Sequence, residues 1–255
     1  MILYVDHNIK KHLSSSPSLF TQMMALQGIT FRKEAGRLTQ AIAIDGQSYF
    51  IKQHTGVGWR EIFKNLLYGR LPIISAKNEW VALQKCKTLG IASPHVYGYG
   101  KQGINPAQIR SFVLMEALQD ARSLEEISCH WKAFPPSFAL KNQFTMKVAQ
   151  ITRTLHDAGI NHRDLYICHF LLKDQTLYLI DLHRAQIRKR TPSRWRIKDL
   201  AALYFSSMDI GLTHRDRLRF MRAYQKKPLN AFSKMEHTFW EWVKKRGEKL
   251  YCEHQ

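Results

Sequence analysis

The sequence predicts an α+β fold in two lobes, the first an antiparallel sheet with a helix and the second mainly helical. Three observations carry this prediction. Between residues 28 and 54 lie short strand-like runs, "GITFRKE" and "TQAIAIDGQSYFIKQH", in which "DG" divides two apolar segments as a hairpin turn does. One long stretch, "FALKNQFTMKVAQITRTLHDAG", sets Phe144, Val148, Ile151 and Leu155 at helical spacing and closes on Gly159. From about residue 194 the remaining pattern is helical. A chain of 255 residues has room for one large domain or for two lobes sharing a cleft.

Taken in order, residues 1–19 read as an N-terminal extension in which "HLSSSPSL" is a solvated connector before the fold begins. The first lobe is expected over 20–115. Within it "WREIFKNLLYG" (59–69) and "KNEWVALQKCKTL" (77–89) have amphipathic helical spacing, with Gly90 placed to end the second. "PHVYGYG" and "RSFVLMEAL" follow as strands, and 116–122 reads as a hinge. The second lobe, 123–255, opens with the long helix, passes through the loop "NHRDLYICH", and makes a short hairpin from "FLLKD" and "TLYLID". Near its end Phe239, Trp240 and Trp242 are expected in the core.

Apolar content of 45% is ordinary, but 39 Lys plus Arg against 20 Asp plus Glu give a formal charge of +19. Such an excess implies acidic partners: nucleic acid, an anionic membrane, a phosphorylated substrate or an acidic protein. The four cysteines are scattered without zinc spacing and read as reduced thiols of a cytoplasmic protein. The start lacks a basic run before an apolar core, and nowhere do eighteen apolar residues follow one another. The expectation is a chain neither secreted nor membrane-spanning, with surface attachment left open.

Chemistry concentrates in "NHRDLYICHFLL" (161–172), whose HRD triplet is that of the protein-kinase catalytic loop. Seventeen residues beyond Asp164, Asp181 ends an apolar strand. Phosphoryl transfer needs two such acids. Asp164 is assigned as the base that receives or orients the acceptor hydroxyl, and Asp181, in "DLH" where protein kinases have DFG, as the magnesium ligand. Lys52 ends the strand "SYFIK", matching the strand lysine that grips the nucleotide phosphates, with Glu79 as its expected ion-pair partner and Glu61 as the alternative. Strands, helix, hinge, long helix, loop and second aspartate then follow in the order of a two-lobed protein-kinase-like phosphotransferase binding ATP and Mg²⁺.

Other assignments are less constrained. The phosphate loop falls at "FRKEAGRLTQ" (31–40), where Gly36 is the sole glycine and Arg32, Lys33 and Arg37 supply charge. Glu116 and Leu118, at the hinge, complete the expected nucleotide set. His169 stands where the kinase loop has a metal-binding asparagine. Magnesium prefers oxygen ligands, so His169 is expected beside Asp181 chiefly to bond phosphate oxygens or to orient Asp164. His162 is expected to brace the loop and Cys168 to pack. No APE motif follows Asp181, so the platform on which a peptide would lie is missing and the acceptor is a small molecule or lipid-linked group. The basic run after Asp181 supplies Arg184, Arg188, Arg194 and Arg196 for an anionic acceptor. A second basic cluster, 214–227, interleaves Leu218, Met221 and Tyr224, and reads either as a membrane- or partner-facing helix or as a core helix with a basic outer side.

Together "GINHRDLYICHFLL", "LIDLHRAQIR", "RWRIKDLAALYFSSMDIGLT", "SYFIKQH", "EIFKNLL" and "NEW" resemble the lipopolysaccharide core heptose kinases of the WaaP/RfaP family, from about residue 27 to about 230. The resemblance implies ATP-dependent phosphorylation of a heptose of the lipopolysaccharide inner core, at the cytoplasmic face of the inner membrane of a Gram-negative bacterium. It implies a lipid A-linked anionic substrate and contact with an anionic membrane surface. An acidic protein such as an acyl carrier protein is a further candidate partner, and nucleic acid is not expected. His169 matches that family's own pattern. Two alternatives stay open: a kinase for another sugar or small-molecule hydroxyl, such as Kdo or an aminoglycoside, and a catalytically idle basic scaffold. Lys52, Asp164 and Asp181 together disfavour the second, and the basic segment after Asp181 disfavours a cationic drug.

Overall fold

The structure is a computed structural model and describes residues 1–34, 36–69 and 71–254. Chain contacts separate two units, Met1–Lys85 with Ser93–Gln119 and Cys86–Ala92 with Asp120–Gln255.

The first unit contains β1 (Ile2–Val5), α1 (His7–Lys10), α2 (Leu19–Ala25), β2 (Ile29–Glu34), β3 (Arg37–Ile44), β4 (Gln47–His54), α3 (Gly58–Leu67), α4 (Lys77–Thr88, whose last residues count with the second unit), β5 (Val96–Gln102) and β6 (Arg110–Glu116). Its strands form one antiparallel sheet in the order β1-β5-β6-β4-β3-β2. The "DG" pair does turn the β3–β4 hairpin, with φ of 51° at Asp45 and 71° at Gly46, the left-handed pair such a tight turn requires. Ile51, Phe112 and Leu114 of the sheet bury against Phe20 and Met23 of α2 and against Val5 and Ile9. Side chains finish α2: Gln53 donates to Met23 O at 3.0 Å and Gln40 to Leu26 O at 3.3 Å, so helix-end carbonyls under the sheet are satisfied.

The fold therefore starts at Ile2, not after residue 19. β1 is only four residues long, and its hydrogen bonds come from β5, with Tyr4 opposite Tyr99. No local pattern announces a strand whose stability lies in a partner so distant along the chain.

The second unit contains β7 (Arg122–Ser123), α5 (Leu124–Ser128), α6 (Phe138–Asp157), β8 (Ile160–Asn161), β9 (Phe170–Lys173), β10 (Thr176–Leu179), β11 (Gln186–Ile187), α7 (Ser193–Ser206), α8 (His214–Gln225) and α9 (Lys234–Cys252). Helix α6 buries Phe144, Val148 and Leu155, but its inner face continues through Ala149 and Thr152 and leaves Ile151 half-buried. The helical core joins Ala149, Leu200, Tyr224, Trp240 and Val243. Of the three C-terminal aromatics, Trp240 is buried, Phe239 packs at the edge of this core and Trp242 is exposed, since two further residues turn a helix by about 200°. On α8, Tyr224 is buried and Phe220 and Met221 pack on the same core, so of the two readings of 214–227 the structure has the core helix with a basic outer side. All four cysteines are free thiols. Among the described residues no helix is long and apolar enough to cross a membrane.

Ile9 is 2% exposed on a segment that the sequence leaves outside the fold. Ile9→Ala is expected to lower unfolding stability by about 2–5 kcal/mol, the usual loss for a buried isoleucine, measured by urea denaturation of the full chain. A change below about 0.5 kcal/mol, the scale of surface substitutions, would contradict docking of this segment.

Candidate active site

In the first unit the alternation of β4 turns Ile51 and Gln53 toward the α2 core and Lys52 to the other face of the sheet. There Lys52 Nζ donates to Glu79 Oε1 at 2.6 Å, and Glu79 is 2% exposed. Glu79 sits in the first turn of α4, where the helix dipole favours a carboxylate. The next residue, Trp80, stacks on Tyr99 of β5 with ring centroids 4.2 Å apart, which fixes α4 on the sheet. Glu61 instead accepts from Asn65 Nδ2 of its own helix at 2.8 Å. Of the two glutamates, Glu79 is the one that pairs with Lys52.

The segment 31–40 includes Ala35, which lies outside the described residues. Gly36 has φ of 73°, and a Cβ there would stand 2.0 Å from Gly56 O, so both the left-handed backbone and the close approach to Gly56 require a glycine. Arg32 pairs with Glu34, its Nε 2.9 Å from Oε1, and Arg37 donates to Ile73 O at 2.9 Å, while Lys33 is exposed. Glu116 ends β6 and its Oε2 accepts from His95 N–H at 3.2 Å; Leu118 follows, half-buried.

In the second unit one buried carboxylate organises the catalytic loop. Asp199, in the middle of α7 and 1% exposed, accepts from the backbone N–H of His162 at 2.6 Å and of Arg163 at 2.9 Å, and lies 3.3 Å from His156 Nε2. Arg163 takes φ of 75°, a conformation that aims two successive N–H groups at one anion. The β8–β11 pair fixes the loop's entry: at Gly159, φ 82°, a Cβ would lie 1.9 Å from Arg188 O. His162 is fully buried, and its Nε2 bonds Ile180 O at 3.0 Å, tying the loop to the residue before Asp181. Because that carbonyl only accepts, Nε2 carries the hydrogen. Burial pushes the His162 pKa below its ordinary value, so the ring is neutral.

The three sequence-assigned groups of this unit gather on that frame. His169 Nδ1 bonds Asp164 O at 2.7 Å, which puts a proton on Nδ1, and its Nε2 lies 3.7 Å from Asp181 Oδ2. The ring lies beside that of His162, centroids 5.6 Å apart and 20° from parallel. Asp181 adopts left-handed backbone, φ 60° and ψ 48°, which aspartate tolerates better than most residues, and its Oδ1 is held by His183 Nδ1 at 2.7 Å. Arg184 Nη1 donates to Asp164 Oδ1 at 2.7 Å. A carboxylate and an imidazole nitrogen therefore face each other at the position expected to hold a metal.

The residues expected at the acceptor divide. Arg184 is engaged with Asp164 itself; Arg188 bonds Asn161 and Gln186; Arg196 donates to His156 O at 3.1 Å and Thr191 O at 3.2 Å, bracing α6 against α7. Arg188, Arg194 and Lys198 surround the Trp195 ring, their cationic groups 5.3, 5.2 and 4.4 Å from its centroid.

A model of the lipopolysaccharide kinase (Kdo/WaaP) family matches residues 21–224. The chain belongs to that family. It is 45% identical over 249 residues to lipopolysaccharide core heptose(I) kinase WaaP of Pseudomonas aeruginosa, covering 94% of this chain and 93% of that one. To the enzyme of the same description from Escherichia coli K12 it is 41% identical, covering 91% and 90%. The structure superposes on one described as WaaP in complex with acyl carrier protein with a TM-score of 0.85 and 39% identity, covering 98% of this chain and all of that one. The kinase-like α+β fold and the family expected from the sequence are those of the chain, and its class is that of a kinase acting on a sugar hydroxyl.

Three residues of this candidate site escaped the sequence reading. Asp199 had one signal, an acid inside the apolar helical run "DLAALYF", and Trp195 had another, an aromatic within a basic run. His183 had none beyond its place two residues after Asp181.

The neutral His162 has a consequence for pH. Its folded pKa lies below the ordinary 6.5, so below that pH the unfolded chain binds a proton that the folded one refuses. Its contribution is complete above about pH 6.5 and is lost on acidification, by up to about 1.4 kcal/mol per pH unit for one proton. Urea unfolding between pH 5 and pH 7.5 should show a shallower slope for His162→Gln than for the unaltered chain; equal slopes would contradict a buried neutral imidazole.

Proposed function

We propose that the chain transfers the γ-phosphoryl group of ATP to a heptose hydroxyl of the lipopolysaccharide inner core. The observation that carries this reading is the catalytic loop fastened by Asp199, with Asp164, His169 and Asp181 gathered on it, in a chain whose named relatives are heptose(I) kinases. Asp164 takes the proton of the acceptor hydroxyl as that oxygen bonds phosphorus and the bond to ADP breaks. Arg184, on Oδ1, orients the base and leaves Oδ2 for the hydroxyl. Lys52, fixed by Glu79, binds nucleotide phosphate, with Lys33 and the hinge residues Glu116 and Leu118 as the remaining nucleotide contacts. Magnesium is commonly held by one or two carboxylates with phosphate and water completing its shell, so Asp181 with His169 beside it fits the ion that neutralises triphosphate charge. His169 Nε2, 3.7 Å from the Asp181 carboxylate, would stand beside such an ion.

Trp195 with Arg188, Arg194 and Lys198 suits an anionic sugar, whose apolar ring face lies on indole while its phosphates or carboxylates meet the cations. Such an acceptor is lipid-linked and places the chain at the cytoplasmic face of the inner membrane. Asp164→Asn should lower kcat by about 10²- to 10⁴-fold, and Trp195→Ala should raise the acceptor KM with less effect on kcat. Transfer of labelled phosphate from ATP to defined core oligosaccharides measures both. Absence of transfer to every lipopolysaccharide acceptor, with transfer to a peptide or drug, would overturn the reading.

An acidic acyl carrier protein is the partner favoured by the solved relative, and one feature of the second unit suits it. A cavity of about 380 Å³ is lined by Trp131, Phe144, Leu203, Met221 and Trp240, with Lys141, Arg217 and Lys244 also contributing to its lining. The apolar interior suits an acyl chain and Arg217 and Lys244 suit an acidic carrier, while Lys141 lies against the buried Asp216. Titration with acylated and unacylated carrier should show tighter binding of the acylated form, a preference that Leu203→Trp, by filling the cavity, removes.

A further inference from the structure

The apolar stripe of α3 points away from the protein. Trp59, Phe63, Leu66 and Leu67 recur at the spacing of one helix face, yet they are 49%, 58%, 50% and 87% exposed. Attachment of the helix to its unit runs through a different side, where Ile62 packs with Val57, Ala107 and Ile74. Trp59 and Phe63 stack on each other, centroids 5.7 Å apart and rings 28° from parallel, and Tyr68 and Leu71 continue the exposed apolar surface past the helix end. Arg60 and Lys64 stand exposed along one border of the stripe, and Glu61 is the only acid among residues 58–71. An amphipathic helix normally turns such a face to its own core, as α8 does.

We infer that α3 is an interfacial helix that lies in the headgroup region of an anionic phospholipid bilayer, with the stripe among the acyl chains. Charge complementarity decides for this occupant. Lipid phosphates satisfy Arg60 and Lys64 at the border while their aliphatic stems lie along the stripe, and the chain's +19 charge draws it to an anionic surface. Aromatic rings beside leucines and cations are the composition of helices seated at a bilayer surface. The inference deepens the reading of a lipid-linked acceptor and rests on it only for its purpose, because vesicle binding is measured without nucleotide or acceptor.

The test is flotation of the full chain with vesicles of phosphatidylethanolamine and phosphatidylglycerol, at low salt and at 0.5 M NaCl. A net charge of +19 attracts any anionic surface at low salt, but screening removes that attraction at high salt and leaves apolar insertion. The unaltered chain should still float at high salt, and the double variant Phe63→Ser, Leu67→Ser should lose at least tenfold in vesicle affinity there. Both residues are exposed, so an unchanged thermal unfolding curve checks that the variant is folded. On soluble core oligosaccharide its kcat and KM should equal those of the unaltered chain, while KM for acceptor embedded in vesicles rises. Loss of the unaltered chain from vesicles at high salt, equal binding by the variant, or a dimer in sedimentation that the variant abolishes would each overturn the inference. Failure of phosphate transfer with vesicle binding intact would overturn only the kinase reading.

Discussion

Everything in the second unit that bears on chemistry depends on a charge taken out of water. Asp199 is buried inside a helix, where an uncompensated carboxylate would be expensive. Its compensation is the catalytic loop itself: two backbone N–H groups, those of His162 and Arg163, with His156 close by. The dependence is mutual. The loop takes its left-handed turn at Arg163 because an anion waits for the N–H groups the turn exposes, and the anion is tolerable because the turn is made. Asp164 follows immediately, so the direction of its side chain is inherited from this pair of hydrogen bonds.

From that anchor the order of the site propagates through directional bonds. His162 reaches Ile180 O and so positions the strand end carrying Asp181; His169 reaches Asp164 O and the Asp181 carboxylate; Ile180 N–H returns to His169 O at 3.0 Å. A loop with two histidines braced on backbone carbonyls has their tautomers fixed by chemistry, since a carbonyl only accepts. The surplus of positive charge enters the same network at Arg184, which makes a cation part of the setting of the Asp164 carboxylate.

What was legible in the sequence was whatever its own neighbourhood announces. The hairpin at Asp45 and Gly46, the long helix ending at Gly159, the strand placing Lys52 and the order of Asp164 and Asp181 all rest on patterns within a dozen residues or on a motif of known chemistry. Even the Lys52–Glu79 pair is local in this sense, because the strand and the first turn of the next amphipathic helices offered only two candidates. Illegible were relations set by distant partners: β1 on β5, and Asp199 beneath a loop 36 and 37 residues earlier. Helical spacing likewise specified that α3 and α8 each have an apolar face but not where it points, and the two point oppositely, α8 to its core and α3 to its surroundings.

The histidine in place of asparagine shows how such a departure becomes workable. Asparagine offers a metal a carbonyl oxygen and keeps an amide to donate elsewhere. With Nδ1 committed to Asp164 O, His169 likewise donates through one end and sets its other ring nitrogen 3.7 Å from the Asp181 carboxylate, a nitrogen where asparagine would place oxygen. A softer atom suits magnesium less well, so under the proposed function that task would fall to Asp181, whose carboxylate is fixed from its other side by His183. The imidazole is a planar ring where the amide is small, and the space it needs is bounded by His162, buried parallel to it. His162 and His169 are therefore one solution: the first histidine supports the second, and both lean on backbone that Asp199 holds in place.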